Sequence, residues 1–135
     1  IINRTEQTAE SLKEYFSVKM LFNDFKAFPL FPPDLVETFR ESKLIINTTS
    51  MGMYPDVDDS ATTIKESFMK GQIVFDIVYN PVKTKLLKLA ESQGSTIITG
   101  LKMLVEQGAK SYELWCGEKM PVEKVYRALE SYLVS

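Results

Sequence analysis

Residues 72–107, QIVFDIVYNPVKTKLLKLAESQGSTIITGLKMLVEQ, decide the fold. The stretch opens on a near-continuous apolar, β-branched run, residues 73–79, suited to a strand covered on both faces of a parallel sheet. Asn80-Pro81 closes it, because proline fixes φ and cannot donate to a ladder. Thr84 then stands at a helix N-cap, Leu86, Leu87 and Ala90 recur at helical spacing, and Gly94 supplies a C-terminal stop. A second short strand, residues 96–98, runs through Thr99-Gly100 into another helix. Strand, helix and strand in about thirty residues make one βαβ unit.

In such a unit the working positions lie where strands end and helices begin, so Tyr79, Asn80 and Gly100 line one rim. Tyr79 offers a phenol at the end of an apolar strand, Gln107 an amide two turns into the next helix, and Gly100 a backbone that a ligand can approach. Spacing alone equally allows a packed Tyr79 ring, a solvated Gln107 and a Gly100 that only turns the chain.

Working outward, Ile1-Ile2 reads as the tail of a strand entering a helix capped by Thr5, with Ala9, Leu12 and Phe16 as its buried stripe. Residues 18–22 read as a further strand and residues 25–33 as a loop. Pro33 suits the first turn of a helix reaching Arg40, with Leu35, Val36 and Phe39 facing the core. Residues 44–47 read as a short, fully buried strand, followed by the hydroxyl-rich turn Thr48-Thr49-Ser50. Residues 54–63 read as an exposed loop whose Asp56, Asp58 and Asp59 lack calcium-loop spacing. A short helix is expected over 64–70, ending at Gly71. The helix after Gly100 is expected to reach Gly117, with Gly108 admitting a close neighbour, and Pro121 opens a last one.

A chain of 135 residues with 44% apolar residues suffices for one domain with a core. A net charge of −2 gives no electrostatic reason for a nucleic-acid or membrane partner. No apolar run approaches about eighteen residues and no signal-peptide pattern opens the chain, so a soluble, cytoplasmic protein is expected. A single cysteine, Cys116, excludes an internal disulfide. The absence of histidine removes the commonest metal ligand and general base, and no metal site is expected.

Five pieces in register resemble one family. Asn3-Arg4-Thr5, residues 46–53, Asp76-x-x-Tyr79-Asn80-Pro81-x-x-Thr84-x-Leu86-Leu87, Gly100-Leu101-x-Met103-Leu104-Val105-x-Gln107 and Glu113-Leu114-Trp115-x-Gly117 are similar to the C-terminal half of the shikimate dehydrogenases. The resemblance implies an α/β fold, a Rossmann-like doubly wound parallel sheet, here lacking the first strand and its Gly-rich turn. It implies NADP as cofactor and reversible reduction of 3-dehydroshikimate to shikimate in aromatic amino-acid biosynthesis. Asn3, Arg4, Thr5 and Thr8 would surround the adenosine 2′-phosphate, Arg4 as a planar charged fork. Thr48, Ile77, Gly100 and Met103 would lie at the nicotinamide end, and Tyr79 and Gln107 would bind the substrate.

The family's catalytic lysine and aspartate belong to an N-terminal domain that no residue here matches. Residues 1–135 are therefore expected to be a partial NADP-binding domain, inactive alone, with two strand edges unpaired in mid-sheet unless a longer gene product or another chain fills the slot. The family often carries a basic residue where Thr8 stands and methionine where Ile77 stands. A quinate/shikimate dehydrogenase using NAD, and a non-catalytic nucleotide-binding or interaction module, are the alternatives. A homo-oligomer is compatible with either.

Overall fold

The computed structural model describes residues 1–30 and 35–134, so the expected helix start at Pro33 lies outside the described residues. The chain forms two compact units, Ile1–Leu35 and Val36–Ser135.

In the first unit, β1 (Ile2–Asn3) leads into α1 (Glu6–Met20), and β2 (Phe28–Pro29) returns parallel to β1 with Ile2 opposite Phe28 and Asn3 opposite Pro29. Thr5 occupies the N-cap position of α1 but makes no side-chain cap; instead Asn3 Oδ1 accepts the Thr5 N–H at 2.9 Å, a local Asx turn that competes with capping. The strand expected over residues 18–22 does not form. Its first half is the last turn of α1, and the Phe22 N–H donates back to the Phe16 carbonyl at 3.2 Å. That closure brings Phe22 edge-on to Phe25 at 5.2 Å, while Phe16 stacks on Phe25 at 4.8 Å. The strand lies instead in the expected loop, at β2, where proline is tolerated because the strand ends there. On α1 only Ala9 is fully buried, and Leu12 of the expected stripe is exposed.

In the second unit α2 (Leu35–Glu41), β3 (Leu44–Asn47), a single 3-10 turn (Lys65–Ser67), β4 (Ile73–Asp76), α3 (Lys85–Ser92), β5 (Thr96–Ile98), α4 (Gly100–Cys116) and α5 (Val122–Val134) follow in order. The sheet is parallel throughout, in the order β3-β4-β5, with α3 crossing from β4 to β5 as expected. The 3-10 turn replaces the longer helix expected over residues 64–70.

Two strand expectations need correction. β3 is not fully buried: Leu44 is 53% and Ile46 50% exposed, because β3 is an edge strand and one of its faces is uncovered. β4 is not sealed on both faces, and its pairing stops at Asp76. Val74, Asp76 and Val78 point inward, while Ile73 and Phe75 are more open, the alternation of a half-covered sheet. The core of this unit includes Phe39, Phe68, Val74, Val78, Leu86, Leu87, Ala90, Leu101 and Val105.

Caps fix the connections. Gln72, buried in front of β4, donates its amide N–H groups to the carbonyls of Phe39 at 2.6 Å and Ser42 at 2.8 Å, while its Oε1 accepts the Met69 N–H at 2.7 Å. This answers the Ser42 carbonyl just beyond α2 and adds a second donor to the Phe39 carbonyl, which already accepts the Ser42 N–H at 3.1 Å. Thr84 caps α3 as expected, accepting the Leu87 N–H, and Gly94 follows the helix with positive φ. α4 reaches Cys116 and stops at the left-handed Gly117. Gly108 does not admit a close neighbour, since a methyl group there would meet nothing within 4 Å. No residue of α5 is fully buried.

Candidate functional site

Because β3, β4 and β5 are parallel, the segments after Asn47, Asp76 and Ile98 emerge at one edge of the sheet. Hydrogen bonds knit the first two together. The Ile77 N–H donates to the Asn47 carbonyl at 3.1 Å, and the Tyr54 N–H donates to the Asn80 carbonyl at 3.0 Å. The third segment arrives at van der Waals contact or closer: a Cβ on Gly100 would stand 2.1 Å from the Ile77 oxygen and 2.6 Å from the Val78 oxygen. Thr48, Ile77, Tyr79 and Gly100 are thereby carried on one rim.

This geometry changes the reason for the glycine. Expected to leave room for a ligand, Gly100 points its missing Cβ at the backbone leaving β4, so glycine is required by backbone–backbone packing. Gly52 has a similar duty: its φ is +83°, and a Cβ would lie 3.1 Å from the Asp59 oxygen and 3.4 Å from Thr84 Cβ.

Beneath the rim lies Asp76, a motif residue to which the sequence reading gave no role. Asp76 is 0% exposed. Its Oδ1 accepts Asn47 Nδ2 at 3.0 Å and the Val78 N–H at 3.0 Å, and its Oδ2 accepts the Thr84 hydroxyl at 2.7 Å. Asn47 carries the network on, its Oδ1 accepting the Thr49 N–H at 3.1 Å and the Thr49 hydroxyl at 2.7 Å. Every partner of Asp76 is a donor, the arrangement that suits a carboxylate. Burial nonetheless pushes its carboxyl above the ordinary value, against the opposing pull of Thr84, Val78 and Asn47. The sequence held one signal: an acid inside an apolar strand. Its meaning needed the register that sets Asn47 opposite Asp76.

Tyr79 is 42% exposed, and its hydroxyl has no hydrogen-bond partner among the described residues. Gln107 is exposed on α4 and donates to the Leu104 carbonyl of its own helix at 3.1 Å, so the structure does not join the two side chains by a hydrogen bond. Gly100, Met103 and Gln107 do share one helical stripe, being three and seven residues apart, and that stripe starts against residues 77–78. Met103 and Thr48 are exposed.

Asn3, Arg4, Thr5 and Thr8 belong to the first unit. Arg4, Thr5 and Thr8 are exposed at the junction of β1 and α1, and the Arg4 guanidinium has no ion pair among the described residues. A fixed cation with adjacent hydroxyls at a helix start is a donor set that fits a phosphate monoester. Among the described residues no group of acidic or cysteine side chains could hold a metal ion, and no helix is long and apolar enough to cross a membrane.

Parallel strands joined through helices, with polar groups gathered beyond their carboxyl ends, define a Rossmann-type α/β protein. Residues 100–130 match the family described as the shikimate 5′-dehydrogenase C-terminal domain. The chain is 38% identical over 132 residues to the shikimate dehydrogenase (NADP(+)) of Methanopyrus kandleri, covering 98% of this chain and 44% of that protein. It is 41% identical to the Methanosarcina mazei enzyme of the same name, over 91% of this chain and 43% of that one. A crystal structure of shikimate 5-dehydrogenase from Listeria monocytogenes in complex with shikimate and NAD superposes with a TM-score of 0.78 at 31% identity, covering 96% of this chain and 46% of that one. Along nearly its whole length, then, the chain matches the C-terminal part of the shikimate dehydrogenases, and it spans less than half the length of those relatives.

Proposed function

We propose that this chain is the NADP-binding, C-terminal part of a two-domain shikimate dehydrogenase that reversibly reduces 3-dehydroshikimate to shikimate. The observation that carries the proposal is the unbroken similarity to enzymes of that name over 98% of the chain, joined to a rim whose polar residues are the ones the motifs mark. Asn3, Arg4, Thr5 and Thr8 hold the adenosine 2′-phosphate. Thr48, Ile77, Gly100 and Met103 border the nicotinamide. Tyr79 and Gln107 donate to and accept from substrate hydroxyls, so that analogues lacking those hydroxyls leave the site's polar groups unpaired. The bound nicotinamide supplies the hydride; the protein's own residues orient it, exclude water and select the substrate. The chain alone is inactive, because no residue in it is assigned to proton transfer.

Two substitutions in the full-length protein test the assignment. Arg4→Ala weakens NADP by about tenfold or more while NAD changes little, the pattern of one lost charge-assisted contact. Equal loss for both cofactors rejects the role of Arg4. Gln107→Ala raises the substrate KM with cofactor affinity nearly constant, and a large cofactor defect there rejects the role of Gln107. A second reading, NAD as the working cofactor, is favoured by one observation, the uncharged Thr8. It predicts that wild type itself prefers NAD.

A further inference from the structure

We infer that Asp76 is a positioning residue for Tyr79: without touching a ligand, its carboxylate sets the direction in which the phenol is presented to a hydroxyl-bearing substrate. The inference rests on the site reading above and deepens it.

Among the described residues the Tyr79 side chain has no hydrogen-bond partner, so its direction follows from the backbone of residues 77–80. That backbone is held at successive points. Ile77 N–H is bound to the Asn47 carbonyl at 3.1 Å, Val78 N–H to Asp76 Oδ1 at 3.0 Å, and the Asn80 carbonyl to Tyr54 N–H at 3.0 Å. The α4 start presses on the Ile77 and Val78 carbonyls from a third side. Among these restraints Asp76 is the side chain that reaches both rim segments at once. The same Oδ1 takes Asn47 Nδ2 at 3.0 Å, and Asn47 in turn holds Thr49 at the start of the β3 turn. Oδ2 takes Thr84, the cap of α3, at 2.7 Å. Removal of the carboxylate strands the Asn47 amide, the Val78 N–H and the Thr84 hydroxyl as donors in a region where Val78 and Thr84 are almost fully enclosed. The segments after β3 and β4 then lose their common reference, and Tyr79 loses its bearing.

A double-mutant cycle on the full-length protein separates positioning from mere structural support. The kcat and KM for shikimate and for NADP are measured in wild type, Asp76→Asn, Tyr79→Phe and the double variant. Expected are a rise in shikimate KM of about tenfold for Tyr79→Phe and of similar size for Asp76→Asn, the NADP KM staying within about twofold. The double variant is expected to be no worse than about twofold below Tyr79→Phe alone, since a phenol already removed cannot be misdirected. Thr84→Val, which deletes one donor to Oδ2, carries the same cycle at smaller amplitude if Asp76→Asn does not fold, and Thr84→Ser restores the wild-type values. Multiplying effects in the double variant, a parallel rise in the NADP KM, or a silent Asp76→Asn overturns the inference while leaving the site reading intact. A silent Tyr79→Phe overturns the site reading, and the inference with it.

Discussion

Gly100 and Gly108 stand about two turns apart on α4 and tolerate a methyl group in opposite ways. At Gly100 the methyl would sit 2.1 Å from a backbone oxygen that cannot rotate aside, so Gly100→Ala is expected to cost about 3 kcal/mol or more. At Gly108 it meets open space inside a helix, and Gly108→Ala is expected to gain about 0.5 to 1 kcal/mol. Urea unfolding of both variants checks the pair, and a matching sign would contradict the packing described. Asp76 makes a prediction with a definite sense in pH. Its native carboxyl titrates above the ordinary 3.8. Between the two values the folded chain binds more proton than the unfolded one, so stability from this group is whole below about pH 3.8 and is lost as pH climbs through the native value. Unfolding midpoints of wild type relative to Asp76→Asn should therefore decline from about pH 3.5 to pH 7. A rise would mean that the donors around the carboxylate outweigh its desolvation.

Among elements, α3 was the most legible, since Thr84, the Leu86-Leu87-Ala90 stripe and Gly94 are local signals of start, face and stop. The end of α2 was not. Its carbonyls are answered by Gln72, some thirty residues on in the chain, and no local pattern announces such a partner. Gln72→Ala should leave the Arg40 and Ser42 carbonyls and the Met69 N–H without that partner, the Phe39 carbonyl keeping the Ser42 N–H, and cost about 1 to 3 kcal/mol. Thermal unfolding measures it, and a neutral result would mean that water replaces the amide. Residues 18–22 failed as a strand for a related reason: apolar content suggested an extended segment, but residues 18–20 are the last turn of α1, and the chain closes back on it through the Phe22 N–H to the Phe16 carbonyl and through the Phe25 ring.

At the scale of the molecule the two units differ in what holds them. The first has a sheet of two-residue strands and, among the described residues, two buried apolar side chains, Ala9 and Leu35; the second encloses Val74, Leu87, Leu101 and their neighbours. Amide exchange should accordingly be slowest across residues 74–78 and 86–90 and fastest across residues 1–30. Protection of α1 equal to that of β4 would contradict this ordering. Arg4, Thr5 and Thr8 on one hand and the polar residues of the rim on the other likewise fall in separate units.

The sequence by itself determined the βαβ unit, the parallel sense of its strands, the cap of α3 and the stop of α4 at Gly117, because each is written in near neighbours along the chain. It also carried the family resemblance. Only the tertiary structure decided that β3 is a half-open edge, that Gly100 yields to a backbone, and that Asn47, Asp76 and Thr84 share one buried charge. Those facts depend on strand register and on packing between segments distant along the chain. A single-residue slip reverses which face a side chain occupies, and no local pattern records it.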